Sequence, residues 1–278
     1  MLHVDHLAVG YNGVNVVENI NLRLGRGEVT ALIGPNGCGK STLLRGIAGM
    51  LPRLGEVFLD PGLDLKSNGR KISEDMQFAY MPQDSYTASS LTVLEVVLLG
   101  RLQSLGLRVP VAMIEGARDA LRNFNLLHLQ SRSLSELSGG QRQIVYLVQA
   151  LFRETSVLLL DEPTGALDLY YQLAVLEAVK EYTQRSNVIT IMALHDLTLA
   201  MRYASRIICL HGGGMVADGS PEEVLTRDLV QSVYRVDADV IDTQDGFRCV
   251  IPTGSLREEA RKDIEPAHEG ADTFGRKD

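Results

Sequence analysis

Residues 34–41 read GPNGCGKS, and this octet decides how the rest of the chain is understood. It is a complete G-x-x-x-x-G-K-[ST] match. It follows VTALI (29–33), an apolar run of the kind that forms a buried parallel strand, and it opens a helical stretch over about 41–49 that Gly49 and Pro52 stop. Gly34, Gly37 and Gly39 permit backbone shapes that a β-carbon would obstruct. In the loop Gly34-Pro35-Asn36-Gly37-Cys38-Gly39 the backbone N–H groups then turn inward at the positive end of a helix, a cradle for phosphate oxygens. Lys40 supplies a cation for the β- and γ-phosphates of a nucleotide, the Ser41 hydroxyl is placed to ligate Mg²⁺, and Thr42 falls near the α-phosphate. The glycines stand at offsets 0, 3 and 5, so the dinucleotide pattern G-x-G-x-x-G does not apply.

Such a loop needs a second carboxylate, and VLLLDE (157–162) provides it: four apolar residues of a buried strand, then Asp161 at its carboxyl end and Glu162 beside it. Ligands collect at the carboxyl ends of parallel strands, which places Asp161 to hold Mg²⁺ through water. Glu162 is then positioned to polarise a water for in-line attack on a γ-phosphate.

Around these two motifs the pattern is strand–helix. VLLL (157–160), a helix from Tyr170 to about Thr183, VITIMAL (188–194), a helix around 196–203 and RIICL (206–210) alternate, which predicts a parallel α/β sheet. The first ~35 residues alternate apolar and polar around Asn12-Gly13, as antiparallel hairpin strands do. EVFLD (56–60) and QFAYM (77–81) are further short strands. From Leu91, LTVLEVVLLGRL, VAMIEGARDALRNF and GGQRQIVYLVQALFRE all have helical periodicity with no strand between them, a helical subdomain placed at about 86–155. Short helices near 221–225 and 228–234, then strand-like VIDT and RCVIP, close a domain over 1–256. Twelve of the 22 residues of 257–278 are charged, which predicts a mobile tail.

Composition excludes several classes. Acids outnumber bases 35 to 27, a formal charge of −8, so no nucleic-acid partner is expected. Cys38, Cys209 and Cys249 form no CxxC pair, which suits neither a disulfide scaffold nor a zinc site; Cys38 reads as a small loop residue, not a redox centre. No run approaches the ~18–20 apolar residues of a membrane span, and MLHVDHLAVG is not a signal peptide, so a cytoplasmic location is expected.

LSGGQ (137–141) precedes an apolar-striped helix, with Ser138 as its N-cap and two glycines at its start. By itself this is a capped helix; beside a phosphate loop it is a second anion cradle that one nucleotide does not require. GPNGCGKST, LSGGQ, VLLLDEPT, ALD and an isolated histidine after an apolar strand, in that order from about residue 2 to 235, resemble the ATP-binding-cassette (ABC) ATPases. The resemblance implies an α/β P-loop fold with an N-terminal antiparallel β subdomain and an inserted helical subdomain. It implies that Tyr11 stacks on adenine, that Gln83 reaches Mg²⁺ and the attacking water, and that His195 contacts the γ-phosphate. It also implies that two copies pack head to tail, with Ser138, Gly139, Gly140 and Gln141 of one covering ATP held by the other, and that Asp168 couples the two sites. Gly165 stands where the family more often has serine, and Ser205 where it often has aspartate.

A single cassette without coiled coils or membrane helices matches a separate ATPase subunit that docks on permease chains. The segments 95–101, 195–207 and 216–241 resemble the ATPases of ferric-siderophore, haem and cobalamin importers, although the RxPH continuation is absent from RLQSLG (101–106). The resemblance therefore implies a peripheral subunit on the cytoplasmic face of the cell membrane, hydrolysing ATP with Mg²⁺ and working with permease subunits and a substrate-binding protein. The alternatives are an ABC ATPase for another cargo such as molybdate, or a soluble ABC ATPase with no transport role.

Overall fold

A computed structural model of the chain describes residues 1–60, 78–83, 90–102, 109–243 and 248–255. The N-terminal alternation forms β1 (Leu2–Tyr11) and β2 (Val14–Leu24), joined through Asn12 and Gly13, both in the left-handed region. The phosphate-loop strand is β3 (Val29–Ile33), every residue of it buried, and it leads into α1 (Lys40–Ile47). The stretch anticipated at 56–60 is β4 (Arg53–Leu59), which pairs antiparallel with β1 and not with the parallel strands. These strands make a three-stranded sheet, β2-β1-β4.

The second sheet has six strands. It takes β5 (Phe78–Met81), β6 (Val157–Asp161), β7 (Ile189–Ala193), β8 (Arg206–His211) and β9 (Gly214–Gly219) together with β3, in the order β5-β6-β7-β3-β8-β9. All neighbours are parallel except β8 and β9. The sequence pattern did not mark β9: GMVADG carries two glycines and lies half-exposed at the sheet edge, so it lacks the apolar run that betrays a buried strand.

One face of this sheet packs on α1. Leu43, Leu44 and Ile47 are sandwiched between Leu2, Val4 and Leu7 of the antiparallel sheet and Val157, Leu159, Ile189 and Ile191 of the parallel one. The other face packs on α4 (Gly139–Phe152), α5 (Leu169–Ser186) and α6 (Leu197–Tyr203), and α2 (Val93–Leu99) and α3 (Val111–Asn123) extend the same core by packing on α4. Between residues 90 and 155, the described residues hold three helices, two short 3₁₀ turns and one isolated bridge, Thr92 to Ser133. Arg101 fastens the end of this segment: its Nε donates to the Phe152 carbonyl at 2.7 Å, and its guanidinium lies 4.4 Å from the Phe152 ring centre. Toward the C-terminus, the helix anticipated over 228–234 is one short turn followed by a wider π-type turn over Val230–Tyr234. The hairpin of β10 (Val236–Asp242) and β11 (Arg248–Ser255) follows. The charged tail at 257–278 lies outside the described residues.

One buried polar pair crosses the layers. Thr183 of α5 donates to or accepts from Thr190 of β7 at 2.6 Å, and its hydroxyl lies 2.7 Å from the Val179 carbonyl; both threonines are fully buried. Thr183→Val keeps the shape but leaves the Thr190 hydroxyl without this partner, which costs about 1–3 kcal/mol. Removing both hydroxyls costs less than the sum of the single changes. Urea denaturation of the single and double variants measures both effects.

Candidate active site

The strand order places the phosphate loop and the second carboxylate two strands apart, with both strands ending at the same sheet edge. The loop closes because two glycines adopt shapes closed to other residues. Gly34 has φ +143°, and a β-carbon there would sit 2.3 Å from the Leu210 carbonyl oxygen; Gly39 caps α1 at φ +106° against Val17. Lys40, at 6 % exposure, donates to the carbonyls of Gly34 (2.7 Å) and Pro35 (3.2 Å). An open cleft of about 340 Å³ lies over the loop, lined by Val16, Asn36, Gly37, Gly39, Lys40, Ser41, Thr42, Gln83, Glu162 and His195. Gly34, Pro35 and Cys38 sit behind that lining: the Cys38 sulfur packs on Gly34, and burial pushes its thiol pKa up.

Asp161 is fully buried and held from two sides. Ser41 Oγ donates to its Oδ1 at 2.9 Å, and Tyr80 Oη donates to Oδ2 at 3.0 Å. Burial raises the carboxyl pKa even against these two donors and the charge of Arg45. Tyr80 in turn accepts from Arg45 Nε at 3.1 Å, and burial pushes its phenol pKa up to about 12. Sequence pattern alone does not reveal Tyr80 or Arg45. Tyr80 pairs in register with Leu159, so its reach to Asp161 is a product of sheet pairing, not of local spacing.

Glu162 has φ +53°, a left-handed shape unusual for a side-chain-bearing residue. Its carboxylate meets two residues that the sequence singled out for other contacts: Gln83 Nε2 donates to Oε2 at 2.7 Å, and the His195 imidazole contacts Oε1. Residues from the ends of β5, β6 and β7 thus converge at one point above the loop. The hard oxygen groups of Ser41 and Asp161, with the Gln83 amide nearby, suit Mg²⁺, which takes few protein ligands and completes its shell with phosphates and water. Among the described residues no cluster of three or more His, Cys, Asp or Glu forms a metal cage.

The remaining candidates stand apart from the cleft. Tyr11 is 41 % exposed, and its hydroxyl accepts from Arg45 at 3.4 Å. Ser138 caps α4, its Oγ accepting from the Gln141 N–H (3.2 Å) while Gln141 Oε1 accepts from the Ser138 N–H (3.1 Å). A β-carbon on Gly139 would meet nothing within 4 Å, so packing within one chain does not demand glycine there; Gly140 is tight against Ala166 and Leu167. Asp168 caps α5 by accepting from the Tyr171 N–H at 3.0 Å.

A sequence profile described as "ABC transporter" matches residues 17–165. The ferric enterobactin transport ATP-binding protein of Escherichia coli is 36 % identical over 257 residues, which is 91 % of this chain and 94 % of that protein. Among solved structures, an inward-facing transporter described as of metal-chelate type is similar with a TM-score of 0.76 and 27 % identity, covering 91 % of this chain and 97 % of that one. A dimeric ATP-binding cassette in a post-hydrolysis state with ADP and Pi is similar with a TM-score of 0.69 and 25 % identity, covering 80 % and 99 %.

The Tyr80 contacts carry a measurable consequence. Tyr80→Phe removes a hydrogen bond to a carboxylate and leaves Arg45 one acceptor fewer, so it lowers unfolding stability without nucleotide by about 1.5–3 kcal/mol. Denaturation of Tyr80→Phe, Arg45→Met and the double variant measures this, and the double variant loses less than the sum of the single losses because the groups share one chain of contacts.

Proposed function

Since the chain belongs to the ABC transporter family of ATPases, we propose that it powers uptake of a ferric siderophore or a related metal chelate through membrane subunits made as separate chains. It is an ATP hydrolase that acts as a dimer with permease subunits. Similarity to the enterobactin ATPase over nine-tenths of both chains carries the cargo reading, because it extends well beyond the shared catalytic motifs. Among the described residues no helix is long and apolar enough to cross a membrane, which agrees with a peripheral position on the cytoplasmic face. A substrate-binding protein delivers the chelate in this reading. The helical segment at about 86–155 receives the permease, and 1–256 acts as one ATPase domain.

The reaction follows from the site residues. The loop N–H groups and Lys40 grip the phosphates, and Tyr11 stacks on the base. Ser41, Asp161 and Gln83 would hold Mg²⁺, which neutralises charge on the β- and γ-phosphates when bound. Glu162, aimed by Gln83 and His195, orients the attacking water and draws off its proton while the bond from the γ-phosphorus to the bridging oxygen breaks and ADP leaves. His195 is also close enough to the cleft to meet the γ-phosphate. Ser138, Gly139, Gly140 and Gln141 stand away from their own chain's cleft, which supports their action on ATP held by a second chain. Asp168 follows the same turn that carries Glu162, which supports a coupling role between the sites.

Two experiments test this reading. Lys40→Ala removes a charge-assisted phosphate contact, a loss of about 1.5–3 kcal/mol that lowers turnover about ten- to 150-fold. Gly139→Asp spares nucleotide binding by the monomer and blocks closure of the dimer. Mixing the two variants restores one composite site per mixed dimer, so activity rises above that of either alone. Mixed dimers that form without such a gain contradict head-to-tail packing. For the cargo, a deletion strain loses growth on a ferric siderophore as sole iron source; retained growth with loss of haem, cobalamin or molybdate uptake instead reassigns it.

A further inference from the structure

Gln143 lies in the second turn of α4, the helix that Ser138 caps, and only 7 % of it is exposed. Both ends of its amide are used. Nε2 donates to the Glu162 carbonyl at 2.8 Å, and Oε1 accepts from the Ala166 N–H at 3.1 Å. One neutral side chain thus bridges the two ends of the turn that follows β6. Within that turn the Gly165 N–H also reaches the Glu162 carbonyl, at 3.2 Å. From the opposite side Gln172 of α5 donates to the carbonyls of Thr164 (3.3 Å) and Leu167 (3.1 Å). The turn is therefore fastened to both helices, and Gln143 is its fastening to α4.

The contact matters because of where it falls. Glu162 is the residue held at φ +53°, a shape that persists only when its surroundings fix the adjoining peptide groups. Gln143 fixes the carbonyl of that residue. A rotation of this peptide swings the carboxylate away from Gln83 and His195, which come from other strands and do not follow it. The first turn of α4, with Ser138, Gly139 and Gly140, belongs to the same rigid helix, so that turn and the Glu162 backbone move as one body.

We propose that Gln143 is a positioning residue for ATP hydrolysis: it holds the Glu162 peptide so that the carboxylate meets the attacking water in its own chain. The proposal rests on the reading of Glu162 given above. Its effect belongs to the chain that carries it, whereas Ser138 and Gly139 act on the neighbouring chain's nucleotide.

Mixed dimers in the assembled transporter separate these cases, with Lys40→Ala in one protomer so that only the other keeps a working phosphate loop. In the first arm Gln143→Met sits in the protomer with the working loop; in the second it shares a chain with Lys40→Ala. Turnover in the first arm falls about tenfold, with the ATP concentration for half-saturation within about twofold of the Lys40→Ala mixed dimer that carries no Gln143 change. Turnover in the second arm stays within about twofold of that control. Gln143→Glu, which keeps the acceptor for Ala166 and loses the donor to Glu162, behaves like Gln143→Met. An equal loss in both arms, a loss confined to the second, no loss in either, or full activity in Gln143→Glu overturns the proposal. Glu162→Gln in the first arm is the control: if turnover survives it, the reading of Glu162 falls, and this proposal with it.

Discussion

The site is organised around one desolvated carboxylate. Asp161 ends a strand whose five residues are all buried, and a carboxylate in such a place must find donors or lose its charge. It finds Ser41 at the start of α1 and Tyr80 on β5. These two contacts tie the phosphate loop, the neighbouring strand and the carboxyl end of β6 into one unit. The relay continues outward through Arg45 to Tyr11. Burial still leaves Asp161 with a raised pKa.

The residue after Asp161 has the opposite character. Glu162 is near solvent, with its side chain 14 % exposed, and its backbone is strained. Its carboxylate is aimed by side chains from β5 and from the end of β7, while its carbonyl is held from α4. A carboxylate held by Ser41 and Tyr80 and a second one aimed from three elements thus stand side by side at a single strand end.

Much of this was legible in the chain itself. The phosphate loop, the buried run before Asp161 and the isolated His195 are local patterns whose spacing carries chemistry, and the structure brings Gln83, Glu162 and His195 to one point. Buried strands β3, β6, β7 and β8 announce themselves as apolar runs. What local pattern could not show depends on register and packing. Strand β9 lacks an apolar run because it lies at an edge, β4 joins the other sheet, and Tyr80 reaches Asp161 only through the pairing of β5 with β6. Gln143 looks like one more polar residue on an amphipathic helix until the turn after β6 is folded against it.

The central claim is that ATP joins two copies of this chain and that Glu162 ends the joined state by hydrolysis. Sedimentation of Glu162→Gln with ATP and Mg²⁺ tests it most directly. The account predicts a stable dimer that forms only with ATP, dissociates when ATP is replaced by ADP, and hydrolyses at least about a hundredfold more slowly than the unaltered chain. A variant that stays monomeric in ATP, or that turns over at the normal rate, contradicts it.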